Sequence, residues 1–420
     1  MTGLGRLTAW LRCVEIIGEA LKRVRFRLSL NIKRATIVQM IESKFPNIGT
    51  TIFTTMSALA TDVGAVNLGQ GFPDFGCDER LTAFVTEAMR AGHNQYPQMA
   101  GVPILRESVA AKVASMYGKS YDPVSEITIT AGATQAIHTT LAAFVRPGDE
   151  VIVFEPVFDS YEPAIRMHGG VTVYAKLTFP DYRPNWEQLR SLITPRTRAV
   201  MINTPHNPTA TCWEQEDFDQ LADILRGTNI VVISDEVYEH MVYDGLSHLS
   251  VARHSELAER AFVISSFGKT YHVTGWKIGY CMAPAPLMAE FRKAHQFVVF
   301  TVNSPAQYGI AAYMGFDTHI DLPAFYQAKR DVFLSAVASS RLRWLPCRGT
   351  YFVSAQYGHL PEYADLGEAE FAVWLTKQIG VACIPTSAFY HDQHDDRVVR
   401  FCFAKKEETL MMAAQRLNTI

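Results

Sequence analysis

Between residues 82 and 283 the chain repeats one pattern: a short apolar run, a polar turn, then a stretch with helical spacing. EITIT, EVIVF, RAVMIN, IVVISDE and AFVISS are the apolar runs, and QAIHTTLAAFV is the clearest helical stretch. Strands separated by helices cannot pair as tight hairpins, so the pattern predicts a mostly parallel α/β sheet covered on both faces. Ligands of such sheets sit beyond the carboxyl ends of the strands. Polar residues gather at those ends: Thr130 to Thr134 (TAGAT), Asn203 to Asn207 (NTPHN), Ser234-Asp235 and Ser265-Ser266.

After Asp321 the texture changes. A helical stretch, AFYQAKRDVFLSAVASS, leads to GTYFVSA, then to EAEFAVWLTKQIG and the pair VACIP and RVVRFCFA. Helices on a small antiparallel sheet predict a second α+β domain. A chain of 420 residues is long enough for two cores. The expected organisation is a basic extension over 1–39, an arm and part of the small domain over 40–81, a large domain over 82–320 and a small one over 321–420.

With 48% hydrophobic residues, 19% charged residues and a net charge of −3, the composition is that of a globular protein with small-molecule partners rather than nucleic acid. Seven scattered cysteines with no C-x-x-C pair give no metal or redox motif and point to a reducing, cytoplasmic setting. No apolar run approaches the roughly 20 residues needed to span a bilayer, which predicts no membrane partner. The first segment is basic: eight arginines and lysines, Arg6 to Arg34, face only Glu15 and Glu19. It is expected to be a poorly ordered extension with no catalytic role. The cluster HDQHDD, His391 to Asp396, reads as a polar surface loop, and no metal is expected.

The chemistry turns on SSFGKTYHVTGWKIGY, whose centre is Gly268-Lys269-Thr270. A phosphate loop would need a glycine where Val263 stands. Ser266 to Lys269 has the spacing of an acylating serine and its lysine, but the S-D-N and K-T-G elements of that class are missing. In the third reading Lys269 itself forms an imine with a carbonyl cofactor, which requires burial or neighbouring cations to lower its pKa. Pyridoxal phosphate is the cofactor that needs this most often, and its ring withdraws electrons only while the ring nitrogen is protonated. Asp235, at the mouth of IVVISDE, is a carboxylate suited to that nitrogen.

Taken together, SKFPNIGTTIFTTMSALA, NLGQGFPDF, TAGATQAI, NTPHNPTAT, ISDEVYEH, SSFGKTYHVTGWKIGYC and RFCFAKKEETL resemble the fold-type I, pyridoxal-phosphate-dependent class I/II aminotransferases. Within them the motifs are most similar to the branch of methionine and kynurenine aminotransferases. The resemblance implies a large domain with a mostly parallel seven-stranded sheet and a smaller α+β domain. It implies that Lys269 carries the cofactor, Asp235 pairs with the ring nitrogen, and Tyr238 and Asn207 donate to the phenolic oxygen. It gives the phosphate to Gly132, Ala133, Thr134, Ser266 and Lys277, the ring face to Phe158, and the phosphate of a neighbouring subunit to Tyr96. The active site is then shared within a homodimer. Arg400 would grip the substrate carboxylate with help from Asn203 and the backbone of Gly71, and Phe53 and Phe300 would line the side-chain pocket.

These assignments imply transfer of an amino group from methionine, an aromatic amino acid or histidine to a 2-oxo acid by ping-pong kinetics. The same lysine, aspartate and arginine would also serve a cysteine-conjugate β-lyase or a kynurenine aminotransferase. A regulator built on a retired domain of this kind would need a DNA-binding module, and residues 1–39 contain no clear helix-turn-helix pattern.

Overall fold

Strand β1 (Val66–Asn67) opens the strand order of a computed structural model that describes residues 42–46 and 48–420. The expectation for residues 1–39 lies outside the described residues. Eight strands then build the main sheet: β2 (Ile127–Thr130), β3 (Glu150–Glu155), β4 (Val171–Thr178), β5 (Arg183–Pro184), β6 (Thr197–Asn203), β7 (Val231–Asp235), β8 (Ala261–Ser266) and β9 (Gly279–Met282). Their order is β2-β9-β8-β7-β6-β3-β4-β5. The pairs β3/β4, β3/β6, β6/β7 and β7/β8 are parallel, while β9 runs against both of its neighbours. The mostly parallel sheet is thus as expected, with seven principal strands and the two-residue β5 added at one edge. Strands β4 and β9 were not among the apolar runs picked out of the sequence.

The sheet is buried because its side chains alternate between two cores. Ile152, Val200, Val232 and Val263 enter one cluster, and Val151, Ala199, Ile233 and Phe262 enter another on the opposite face. Helix Ala133–Phe144 covers the second face, burying Ala136, Ile137, Thr140 and Leu141 at helical spacing. The consequence for function is geometric: Asn203, Asp235 and Ser266 each end a strand, and Asn203 pairs directly with Asp235 in register.

A second sheet comprises β10 (Arg343–Trp344), β11 (Phe352–Gln356), β13 (Ile384–Pro385) and β14 (Val398–Cys402), in the order β10-β11-β14-β13 and antiparallel throughout. Strand β12 (Val381–Ala382) instead pairs with β1 in parallel. These strands, with helices Leu322–Ala336 and Glu407–Leu417, share a third core that also takes in Met56, Val66 and Leu68 from the start of the described chain. Arg400 lies in the middle of β14, flanked by Ser354 and Ile384. Among the described residues no helix is long and apolar enough to cross a membrane.

Candidate active site

At the carboxyl ends of β6, β7 and β8 a cavity of ≈ 190 Å³ is lined by residues from Ala133 to Lys277 that lie far apart in sequence. It brings together ten of the residues singled out above: Ala133, Thr134, Phe158, Asn203, Asn207, Asp235, Tyr238, Ser266, Lys269 and Lys277. Gly132, Gly71, Phe53 and Arg400 stand just outside that lining and connect to it through neighbours described below. Tyr96 and Phe300 do not reach it.

Lys269 sits in the single turn Phe267–Thr270 that follows β8, capped by the Ser266 hydroxyl, which accepts a bond from the Gly268 amide at 3.1 Å. Its Nζ donates to the Tyr351 hydroxyl at 2.7 Å and to the Gly71 carbonyl at 3.2 Å. Burial lowers its pKa from 10.5 to about 8, and the charges of Lys277 and Arg400 act in the same direction. Those are the two conditions a nucleophilic lysine needs.

Asp235 is 4% exposed at the end of β7. Its Oδ2 accepts a bond from the Tyr161 hydroxyl at 2.5 Å and its Oδ1 one from the Val237 amide at 3.2 Å. Burial raises its pKa from 3.8 to about 6 in spite of these bonds. A carboxyl left this close to neutral gains from a cationic partner inside the cavity. Tyr238 is buried beside it, and burial pushes its hydroxyl well above the ordinary value. Phe158, half-buried, stands edge-on to Tyr161.

An anion cradle forms where helix Ala133–Phe144 begins. Gly132 precedes it with φ 79°, and among the described residues no side chain caps its first turn. Lys277, itself at φ 56°, brings Nζ to 3.3 Å from where a Cβ on Gly132 would stand. Position 132 is therefore restricted both by its left-handed backbone and by the lysine it faces. Free amide N–H groups and a cation at a helix start suit a phosphate.

Arg400 is 1% exposed. Its Nη1 donates to Asn207 Oδ1 at 2.5 Å and its Nη2 to the Gly69 carbonyl at 3.4 Å, while its Nε has no hydrogen-bond partner. The guanidinium lies 3.8 Å from the centre of the Phe352 ring, with Phe389 and Phe53 at 5.0 and 5.5 Å. Burial lowers its pKa from 12.5 to about 10. A buried guanidinium with an open donor is poised for a planar carboxylate.

Several assignments take a different form in the structure. Asn207 spends its carbonyl oxygen on Arg400, so it links the lining to the arginine. Asn203 has both ends of its amide tied to backbone, donating to the Asp235 carbonyl and accepting from the Asn207 amide, each at 2.8 Å. It fixes the strand end while still lining the cavity. Gly71 offers its carbonyl to Lys269 and Tyr351, and a Cβ there would come within 2.8 Å of the Phe352 ring. Phe300 does not line this chain's cavity: it is 48% exposed and meets Tyr96, 82% exposed, edge to face at 5.5 Å, beside a separate open depression that Tyr96 lines. In the HDQHDD loop, His391 and Asp392 cluster with the buried Glu155, but His391 bonds Glu155 at 2.9 Å and Asp392 takes Lys176 at 2.7 Å.

Two site residues escaped the sequence reading. Tyr161 and Tyr351 contact Asp235 and Lys269 from positions 74 and 82 residues away. The only local signal for Tyr351 was an aromatic pair in GTYFVSA, which reads as core.

Comparison with known proteins places the chain among relatives of near-equal length. A family model described as "Aminotransferase class I and II" matches residues 63–417. The methionine aminotransferase of Escherichia coli K12 is 49% identical, the match covering 90% of this chain and 98% of that protein. A probable N-succinyldiaminopimelate aminotransferase of Mycobacterium tuberculosis is 39% identical over 91% of this chain and 98% of its own. Among solved structures, Escherichia coli YbdL, described as having a methionine aminotransferase function, superimposes with a TM-score of 0.88 at 48% identity, covering 90% of this chain and 99% of that one.

Proposed function

From the premise that the chain belongs to the class I and II aminotransferases, we propose that it moves the amino group of methionine to a 2-oxo acid with pyridoxal 5′-phosphate as cofactor, and that aromatic amino acids and histidine are further donors. The observation that carries this reading is the pair of opposed shifts in one cavity: a lysine brought down to about 8 and an aspartate brought up to about 6. Environments that push two groups toward neutrality from opposite sides mark acid–base and covalent sites.

The residues fit the cofactor at each of its ends. Lys269 supplies the amine for its aldehyde, Asp235 a carboxylate for its ring nitrogen, Phe158 an aromatic wall, and Gly132, Ala133, Thr134, Ser266 and Lys277 the donors for its phosphate. When bound, the cofactor supplies an electron-withdrawing ring that stabilises negative charge left on the substrate's Cα. Asp235, held by Tyr161, would pair its carboxylate with the cofactor's ring nitrogen and keep that nitrogen protonated. Tyr238 stands beside it as a hydrogen-bond donor. Arg400 binds the substrate carboxylate through its open Nε edge, and Asn207 fixes the plane of the guanidinium. Lys269 Nζ, neutral in a useful fraction near pH 7 to 8, would take the proton from the substrate's Cα as base and, as acid, pass it to the carbon of the cofactor's aldehyde group, so that the amino group stays with the cofactor.

Selectivity follows from what surrounds Arg400. Phe53, Phe352 and Phe389 present apolar rings there. Among the described residues, the cations at the site, Lys269, Lys277 and Arg400, each already serve the amine, the phosphate or the α-carboxylate, so none of the three is left for a dicarboxylate side chain. Apolar pockets separate similar side chains by only about 1–3 kcal/mol, so a broad donor range is expected. The exposed aromatic pair Tyr96 and Phe300 supports a homodimer in which these rings complete a neighbouring subunit's site. Six free cysteines among the described residues support a reducing, cytoplasmic setting.

A panel of amino donors against 2-oxo acids tests the reading. Methionine is expected to yield 4-methylthio-2-oxobutyrate with stoichiometric formation of a new amino acid. Release of pyruvate and ammonia from a cysteine conjugate, with no new amino acid from any donor, would make the protein a lyase instead.

A further inference from the structure

We propose that the hydroxyl of Tyr351 is a positioning group that holds the Lys269 amine, tying it to the Gly71 carbonyl whenever that amine is not covalently engaged. This rests on the reading of Lys269 as the cofactor-bearing lysine, and names the residue that controls its free state.

Three contacts close a triangle. Lys269 Nζ donates to the Tyr351 hydroxyl at 2.7 Å, Tyr351 donates to the Gly71 carbonyl at 2.5 Å, and Lys269 Nζ reaches the same carbonyl at 3.2 Å. Tyr351 is 0% exposed and its ring is braced edge-on by Tyr238 at 5.3 Å and Phe352 at 4.9 Å. It follows Thr350, a residue at φ 64°, in the turn that enters β11, so its backbone is fixed as well. Phe352 is the ring that carries Arg400. The aromatic pair Tyr351-Phe352 therefore places the amine that moves the proton and the guanidinium that grips the carboxylate relative to one another. A lysine has four rotatable side-chain bonds, and a proton transfer requires its nitrogen within hydrogen-bond reach of the reacting carbon. A braced hydroxyl removes that freedom without adding a charge.

Tyr326 offers a matched control. Its ring lies 5.7 Å from that of Tyr351 in the same cluster, it is equally buried, and its hydroxyl has no hydrogen-bond partner. Tyr351→Phe and Tyr326→Phe each delete one buried hydroxyl, and only the first touches Lys269. Two measurements separate them: steady-state kinetics of the holoenzyme, and the pH dependence of Lys269 acylation in cofactor-free protein, read by trace labelling with acetic anhydride and peptide mapping.

For Tyr351→Phe the expected results are a fall in kcat of about tenfold or more with KM moved less than about threefold, and a downward shift of about half a pH unit or more in the acylation midpoint, because the ammonium loses an acceptor. Tyr326→Phe should match wild type in both. If either readout for Tyr351→Phe is indistinguishable from Tyr326→Phe, the hydroxyl does not position the amine. Borohydride capture of the cofactor by the wild type distinguishes the two failures: capture on Lys269 with no effect of Tyr351→Phe overturns this inference alone, and no capture on Lys269 overturns it together with the proposed function.

Discussion

Ser265 and Ser266 are neighbours on β8, yet they serve two differently built regions. Ser266 lines the cavity, whereas Ser265 faces away and donates to Glu239 Oε1 at 2.5 Å. The same division runs through Asp235 and Glu236 at the end of β7: the first opens on the cavity, the second accepts bonds from Ser234, His248 and the Val251 amide. Behind the sheet, Glu239 also receives Lys112 at 2.7 Å, and Tyr280 and Tyr117 each at 2.6 Å. Burial would raise Glu239, but Lys112 and these bonds overbalance it and hold the carboxyl well below its usual range. In the cavity no such saturation exists: Lys269 and Asp235 are both pushed toward neutrality, and Arg400 keeps an open Nε. Two buried ionic clusters on one sheet therefore differ in what they lack. The closed one has its polar groups paired with one another, and the open one keeps groups able to take a further partner.

The sharpest way to break that contrast is to open the closed cluster. Lys112→Met leaves Glu239 buried without its cation, and urea unfolding should show a loss of about 3–5 kcal/mol. Capture of the cofactor on Lys269 should persist in the molecules that remain folded. A small stability loss would mean that the network is not the saturated structure described.

The next effect concerns the open cluster and pH. In cofactor-free protein Asp235 has a raised folded-state pKa of about 6 against 3.8. Its stabilising contribution is whole below pH 4 and is lost as pH rises through 6, a change of about 3 kcal/mol for a shift of about two units. Wild-type stability should fall more than that of Asp235→Asn between pH 4 and 7, as read by denaturant midpoints. Parallel curves would contradict the burial-raised pKa of Asp235.

A smaller effect is expected at Arg400. Arg400→Lys keeps the charge but loses the planar fork, so KM for the amino donor should rise about 10- to 100-fold, corresponding to about 1.5–3 kcal/mol of charge-assisted bonding. A change mainly in kcat would place the arginine in a different role.

The sheet and the cavity's principal groups were legible in the sequence for a shared physical reason. Continuous apolar runs mark doubly covered strands, and the residues that end them, Asn203, Asp235 and Ser266, fall at the site by construction. Strand β4 forms no continuous apolar run because it is partly exposed and its apolar residues alternate with Thr172, Tyr174 and Lys176. Strand β9 was hidden because it is only four residues long and begins at Gly279. Tyr161 and Tyr351 were invisible because their importance depends on meeting Asp235 and Lys269 across long stretches of chain. Asn203, expected from the resemblance to help bind the substrate carboxylate, lines the cavity and also closes the backbone around it with two 2.8 Å bonds, a second role that no sequence pattern signals. Phe300 enters the pocket only through the resemblance; in this chain it is exposed beside Tyr96, and no local pattern tells a ring that lines its own cavity from one that lies outside it.

One buried amine, and not its neighbours, is expected to bond the cofactor. Borohydride reduction of protein incubated with pyridoxal 5′-phosphate, followed by peptide mapping, tests it with three lysines at once. The reduced adduct is expected on Lys269, with Lys277 unlabelled because its proposed partner is the phosphate and Lys112 unlabelled because Glu239 and Tyr280 hold it. An adduct on either of those lysines, or none on Lys269, would contradict it.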